Sequence, residues 1–278
     1  MAQQPLAYVF EVDEHFTVEQ RAVQKITQNI QGTEQIITND ISGILDFTVK
    51  SVNNDQIELS MMFTDLVMKM SSNLMGTLMD INANDTSDES METKIFNSIL
   101  NKPFTLIMQK NGKITSVSGG KELVDLIVNK LDLPDENTKA LISETLLNSY
   151  GSNALAESFT QMTYYLPDTA VKSTENAQWK NQYTGKLSAT TTWTLLDAQS
   201  DSWKIEGKAP VVINTNENGV TMNLEGNQST IINGNKGSWL FQDITVEQEA
   251  TGSSVMPQLG DQKIPTNITS TITYNRIK

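Results

Sequence analysis

The chain offers few residues that could do chemistry. His15 is the only histidine, so a Ser–His–acid triad would have to use it. It lies in Val12-Asp13-Glu14-His15-Phe16, with no Gly-x-Ser-x-Gly motif and no phosphate-cradling glycine loop anywhere in the chain. Cysteine is absent, which removes disulfides, thiolate metal sites and cysteine nucleophiles together. Two carboxylates could serve a glycosidase, but 33 acidic residues give no basis for choosing a pair. Two stretches approach a calcium loop. Asp80, Asn82, Asn84 and Asp88 have the right spacing, but Asp85 replaces the required glycine and Met91 the bidentate acid. Asn214, Asn216, Asn218, Gly219 and Glu225 also fit, but the first ligand is uncharged and the following residues alternate as a strand. An acidic solvated loop and an Asn-Gly hairpin account for both stretches, so no metal or other cofactor is expected.

The residues that stand out are apolar. Six of the 12 methionines fall between Met61 and Met79. Methionine fills irregular volume and recurs on adaptable binding surfaces. Met61, Leu66, Met68 and Met70, together with Leu123 and Ile127 from a helical stretch, are the candidate ligand-binding residues. The competing reading is that these side chains interlock as solid core.

The surrounding sequence must position them. Ile57, Leu59, Met61 and Phe63 share one parity, and Leu66, Met68 and Met70 share the other. A bulge near Thr64-Asp65 reconciles the two, because one inserted residue re-aims every later side chain. Strands are expected at Leu6–Val12, Phe16–Ile30 and Ile36–Val52, the last with a bend at Ser42-Gly43. After a polar loop, a helix over Met91–Leu100 starts at Ser90. Phe104 to Val117 forms a hairpin around Asn111-Gly112, a type I′ signal. Helices follow over Lys121–Leu131, from Pro134-Asp135-Glu136 to Gly151, and through Leu155, Phe159 and Met162. Gly151 suits a left-handed cap. Strands return at about Tyr183–Leu196, Trp203–Ile213, Val220–Ile232, Ser238–Gln248 and Ile268–Ile277. Turns are expected at Asn218-Gly219 and Asn233-Gly234-Asn235, and a loop over Gly252–Pro265. The later strands alternate Thr, Asn and Gln with apolar residues, as in sheets with one wet face. A weak echo between Phe47-Thr48-Val49 and Trp193-Thr194-Leu195 leaves open two β halves, about 1–118 and 176–278, around a helical segment of about 119–167.

Tyr8-x-Phe10, Phe104 to Leu123 with Asn111-Gly112-Lys113-Ile114 and Val117-x-Gly119, Leu166-Pro167 before Val171, and Ile272-Thr273-Tyr274 together carry a resemblance. Through them the chain resembles an uncharacterised family of exported proteins and lipoproteins typical of Bacteroidetes. It implies export, often with a lipid-anchored N-terminus, and transfers no catalytic residue. At the level of fold alone, the chain also looks like periplasmic lipoprotein-carrier half-barrels, whose concave faces hold acyl chains.

These readings converge on a single α+β domain over 1–278. A long, curved, half-barrel-like antiparallel sheet would be covered by three or four short helices from the middle of the chain. The expected function is a non-enzymatic exported protein binding a hydrophobic or lipid-like molecule. The alternative is a structural or interaction module of the cell envelope that contacts an envelope protein. Met1-Ala2-Gln3-Gln4-Pro5 reads as a stub left by signal cleavage, so a signal sequence upstream is expected; a lipid anchor upstream of the mature chain is what the resemblance implies for many members. The location would be the periplasm or the outer-membrane surface. A net charge of −13 argues against nucleic acid as a partner, and no apolar run is long enough for a spanning helix.

Overall fold

The computed structural model describes residues 6–278 except 54, 132–134, 200, 218–219, 236 and 258–261. Among the described residues, twelve strands and four helices follow one another. The first strands are β1 (His15–Ile30), β2 (Thr33–Val52), β3 (Gln56–Ser72) and β4 (Gly76–Asn82). Helix α1 (Met91–Ile99) leads to β5 (Phe104–Gln109) and β6 (Ile114–Ser118). Then come α2 (Gly120–Lys130), α3 (Glu136–Tyr150) and α4 (Ser152–Thr163). The remaining strands are β7 (Gln178–Tyr183), β8 (Leu187–Ala198), β9 (Ser202–Glu217), β10 (Val220–Asn235), β11 (Phe241–Val255) and β12 (Lys263–Arg276). All pair antiparallel in one sheet, in the order β6-β5-β3-β2-β1-β12-β11-β10-β9-β8-β7, with β4 beside the far part of β3.

This corrects the expected α+β class and the half-barrel covered by helices. The protein is mostly β, with 58% strand against 18% helix. The cause is that the ladders continue through segments whose composition suggests loops. Gly252 to Val255 stay paired with β10 and β12. Gly234 remains in β10, where the indole of Trp203 occupies the space a side chain would take. The helices gather at one flank instead of forming a layer. Leu155, Phe159 and Met162 of α4 are buried, and α4 packs against the edge strand β6. On its other side Glu157 lies against Gly185 in the β7–β8 turn. Helix α3 buries little, and Leu141 is 66% exposed.

Register fixes which side chains share a face. The β3 bulge falls at Thr64, since Ile44 pairs with Asp65 and Leu45 with Phe63. It brings Met61 and Met68 onto the same face despite their opposite parity. That face is the core face, and its near half is densely aromatic. Phe16 stacks on Phe47 at 4.8 Å, Phe10 on Phe16 at 5.8 Å, and Tyr8 on Phe10 at 5.5 Å. Leu6 to Phe10 is not a strand. It is a buried strap, with the Tyr8 amide donating to the Lys110 carbonyl and the Val9 amide to the Ser238 carbonyl. A second strap follows α4. Trp179 Nε1 donates to the Tyr165 carbonyl, and Asn181 Nδ2 to the Leu166 carbonyl.

Side-chain caps mark the starts of two helices. Ser90 Oγ accepts from the Thr93 amide to start α1, and Asp135 accepts from the Asn137 and Thr138 amides to start α3. Gly151 differs from its expected role. Its φ is −67°, so it is extended and serves as the residue before α4. The β5–β6 turn also differs. Only Gly112 has positive φ, at +88°, while the Gly112 amide donates to the Gln109 carbonyl. The sequence therefore makes a type I turn closed by a glycine, not a type I′ turn. The predicted Tyr183–Leu196 strand is broken between Tyr183 and Leu187. Asn218-Gly219 and Pro134 lie outside the described residues.

Candidate binding face

The residues of the first candidate calcium loop are engaged with one another and with their neighbours. Asp80 pairs with Lys69 at 3.4 Å. Asn82 Oδ1 accepts from the Asn84 amide, and Asn84 Nδ2 donates to Asp65. Asp88 lies just before α1, accepting from the Ser90 amide at 2.9 Å and from the Thr93 hydroxyl at 2.6 Å. These oxygens point to separate partners, and among the described residues no group of three acids or histidines converges. Asn214 and Asn223 are paired in the β9–β10 ladder. His15 is exposed at the start of β1.

The six candidate ligand residues separate. Met61, Leu123 and Ile127 are nearly inaccessible in the main core, and Leu66 joins a small cluster with Ala83 and Leu100. Ile127 also borders a cleft of about 340 Å³ beside Asp85, Asp88 and Lys130. Met68 and Met70 lie farther along β3, half-buried on the core face.

Around Met68 and Met70 the core face changes character. Side chains paired across the strands form rows. One row runs Gln228, Gln248, Ser270, Gln24, Asn39, Met70, Met79 through β10, β11, β12, β1, β2, β3 and β4. The row on its near side runs Thr230, Val246, Ile272, Ala22, Ile41, Met68, Ile81. On its far side it runs Gly226, Ala250, Ile268, Ile26, Ile37, Ser72. An amide row is thus bordered by two largely aliphatic rows. The core-face positions of β1 from Gln20 to Gln28, of β2 from Gln35 to Gly43 and of β12 from Ile264 to Tyr274 carry no charge. Glu19, Arg21, Lys25, Asp40, Glu247 and Glu249 all stand on the outer face. Arg21 Nη2 donates to Asp40 at 2.9 Å, and this holds the Asp40 carboxyl below its usual range.

The two faces of β1 thus differ in kind. The amides face inward and the charges face outward. A strand of a membrane-embedded barrel turns an apolar band outward, and this outer face is charged.

The amide row is incompletely satisfied. Asn39 Nδ2 donates to Gln24 Oε1 at 3.2 Å, but Asn39 Oδ1 is buried without a partner. Gln228 is 7% exposed, and its Oε1 also lacks one. An unpaired buried polar atom costs about 1–3 kcal/mol. One neighbouring group is complete: Gln28 Nε2 donates to Ser254 Oγ at 2.7 Å, and Ser254 and Thr266 share a 2.9 Å bond. The β1 pattern that could have revealed this face is Gln20, Gln24 and Gln28, interleaved with Ala22 and Ile26, with Glu19, Arg21 and Lys25 on the other parity.

On the outer face, an open groove of about 660 Å³ crosses β9 to β12 between Lys208, Ser229 and Glu247 on one side and Pro210, Asn227 and Glu249 on the other. Lys208 is already paired with Glu206 at 2.9 Å.

Two solved structures align over most of the chain. The outer membrane channel from Pseudomonas putida F1 aligns at 7% identity and a TM-score of 0.36, covering 98% of each chain. The translocator domain of the autotransporter NalP from Neisseria meningitidis aligns at 7% identity and a TM-score of 0.24, covering 96% of this chain and 90% of that one. No curated protein matches the sequence. The profile of a family of unknown function, DUF6263, matches residues 54–239, from the start of β3 to the β10–β11 turn, and the chain belongs to that family.

Proposed function

We propose that this protein is an exported, non-enzymatic binding protein that holds an uncharged amphiphile on the far half of its core face. The observation that carries the reading is the amide row between aliphatic rows, with the acceptors of Asn39 and Gln228 unpaired. Binding sites are typically apolar with a few placed polar groups. Ala22, Ile26, Ile41, Met68, Met70 and Met79 supply the apolar surface, and all six are half-buried. The free acceptors call for donors, such as the hydroxyls or amides of a lipid-like head. Absence of charge on this face disfavours ionic ligands, because a charge placed there would lose hydration without a counter-ion. Periplasmic or outer-membrane-surface location accompanies the reading through the family resemblance. A hydrophobic ligand held between Met61, Leu123 and Ile127 is not part of the proposal, which rests on the half-buried far part of the core face and not on these nearly inaccessible side chains.

The test is titration with a neutral solvatochromic amphiphile such as Nile red, alongside native mass spectrometry of protein from its own host. Saturable uptake is expected, weakened at least tenfold by Met70→Lys, which adds a charge to the row. Gln248→Leu should alter the preference between hydroxylated and plain alkyl amphiphiles. A folded wild-type protein that takes up neither class saturably would sink the reading.

A further inference from the structure

Three methionines share one patch of the core face. Met70 and Met79 are direct partners across β3 and β4, and Met68 stands two residues before Met70 on the same face. Side chains directly opposite in an antiparallel pair have Cβ atoms about 4.5–5.5 Å apart. Two residues along a strand span about 7 Å. Unbranched thioether chains on such a frame can turn their sulfurs toward one point. All three residues are half-buried, so the patch is reached from solvent. Its surround is apolar, because Met68 is flanked by Ile41 on β2 and Ile81 on β4. The charged pair between these positions, Lys69–Asp80, stands on the opposite face. One orphan lone pair adjoins the patch. Asn39, the partner of Met70 on β2, has its Oδ1 buried without a hydrogen-bond partner.

We infer that Met68, Met70 and Met79 form a binding site for copper(I). Thioether sulfur is a soft, uncharged donor, and soft donors select copper(I). A hard ion would lose its hydration on this uncharged face without a counter-ion. A soft ion differs, because bonds to sulfur replace the water it sheds. Zinc and calcium call for imidazole, thiolate or carboxylate ligands. The core-face positions beside the patch, Asn39, Ile41 and Ile81, supply none. Cysteine is absent, and the one histidine is out of reach. His15 lies nine residues along β1 from Gln24, the residue in line with Asn39 and Met70, which is about 30 Å. Asn39 Oδ1 stands where a weak fourth donor would complete the three sulfurs. The net charge of −13 adds a general attraction for cations. The ion does not require the amphiphile proposed above, although the two share part of one surface.

The test is anaerobic titration of the protein with copper(I) against a chromophoric copper(I) chelator. Uptake of one equivalent is expected. Silver(I), a soft ion that needs no reductant, should raise the melting temperature, since it binds only the folded state. In wild-type protein labelled at its methionine methyls, silver(I) should shift the resonances of Met68, Met70 and Met79 and leave that of Met61 in place. Met68→Leu, Met70→Leu and Met79→Leu each keep volume and apolar character, and each should weaken copper(I) binding at least tenfold. Met62→Leu, on the outer face opposite Asp46, should not. Methionines that served only as soft packing would give no uptake at all. Nile red reads the amphiphile separately, and the leucine variants should still take it up. Nile red uptake by a wild-type protein that binds no copper(I) would overturn the inference and leave the amphiphile reading standing. Copper(I) binding that survives replacement of all three methionines by leucine, or silver(I) shifts confined to Met62 and Met75, would place the ion elsewhere and overturn it as well.

Discussion

Phe47 and Asn39 stand on the same face of β2, yet they sit in different environments. Phe47 is 1% exposed, stacked on Phe16 and surrounded by Leu45, Val49 and Met61. Asn39 is half-buried between Gln24 and Met70, with its carbonyl oxygen unpaired. The near half of the core face is sealed by two straps and α4, so every position there can be apolar and close-packed. The far half extends beyond those elements on the β1–β4 side. There the same alternation holds amides and methionines at partial burial. One continuous hydrogen-bonded sheet thus carries a rigid core at one end and an adaptable surface at the other.

The largest test of that contrast is truncation. Phe47→Ala should cost about 3–5 kcal/mol and Met61→Ala about 2–5 kcal/mol, because each opens a cavity in close-packed surroundings. Met70→Ala, partly exposed, should cost less than about 1 kcal/mol. Urea denaturation reads all three. If Met70→Ala proved as damaging as Met61→Ala, the far half would be core and the contrast would fail.

Much of this arrangement was legible in the sequence. The parity change between Phe63 and Leu66 located the bulge that register places at Thr64. Ser90 and Asp135 marked helix starts because their oxygens satisfy amides that the helix leaves unpaired. Other features depended on partners distant in sequence. Leu6 to Phe10 alternates like a strand, but its amides bond to Lys110 and Ser238, so it became a strap. Gly234 and Gly252 look like breakers, yet the sheet uses their lack of a side chain to admit Trp203 and Leu224. The methionines Met61 and Met70 looked equivalent. Burial separated them, because the straps and α4 seal only one end. The amides were the costliest omission, since periodicity does not say which of two polar-containing faces turns inward.

A middle-sized effect should come from the far end of β1. Gln28 is 4% exposed and bonds across β12 to Ser254 on β11. Gln28→Ala should cost about 1–3 kcal/mol, as expected for breaking a buried network. The triple replacement of Gln28 by Leu, Ser254 by Ala and Thr266 by Val removes all the polar partners together and should cost much less than the sum of its parts. A triple variant as unstable as that sum would show that each hydroxyl serves the fold independently, and the network would not be a closed unit.

The smallest expected effect concerns pH and the N-termini of α1 and α3, the second of which buries little. Asp135 accepts from the Thr138 amide and hydroxyl and the Asn137 amide, and these bonds hold its carboxyl below the ordinary value of 3.8. Asp88 is lowered in the same way by the Thr93 hydroxyl and the Ser90 amide. A folded-state pKa below the unfolded one means that the caps add stability above the ordinary carboxylate range. That contribution is lost as pH falls through the lowered folded values. Protonation removes an acceptor and the favourable charge at the helix N-terminus. Because α3 buries so little, its first turn should fray before the sheet responds. Amide-exchange protection at Asn137 and Thr138 should therefore fall on acidification below about pH 4, after correction for the intrinsic exchange rate, while protection in β1 and β12 persists. Asparagine can cap without ionising, so Asp135→Asn should flatten the acid limb at those two amides and leave neutral-pH protection nearly unchanged. If protection in the sheet and in α3 fell together, the flank would belong to the same cooperative unit as the sealed end of the sheet.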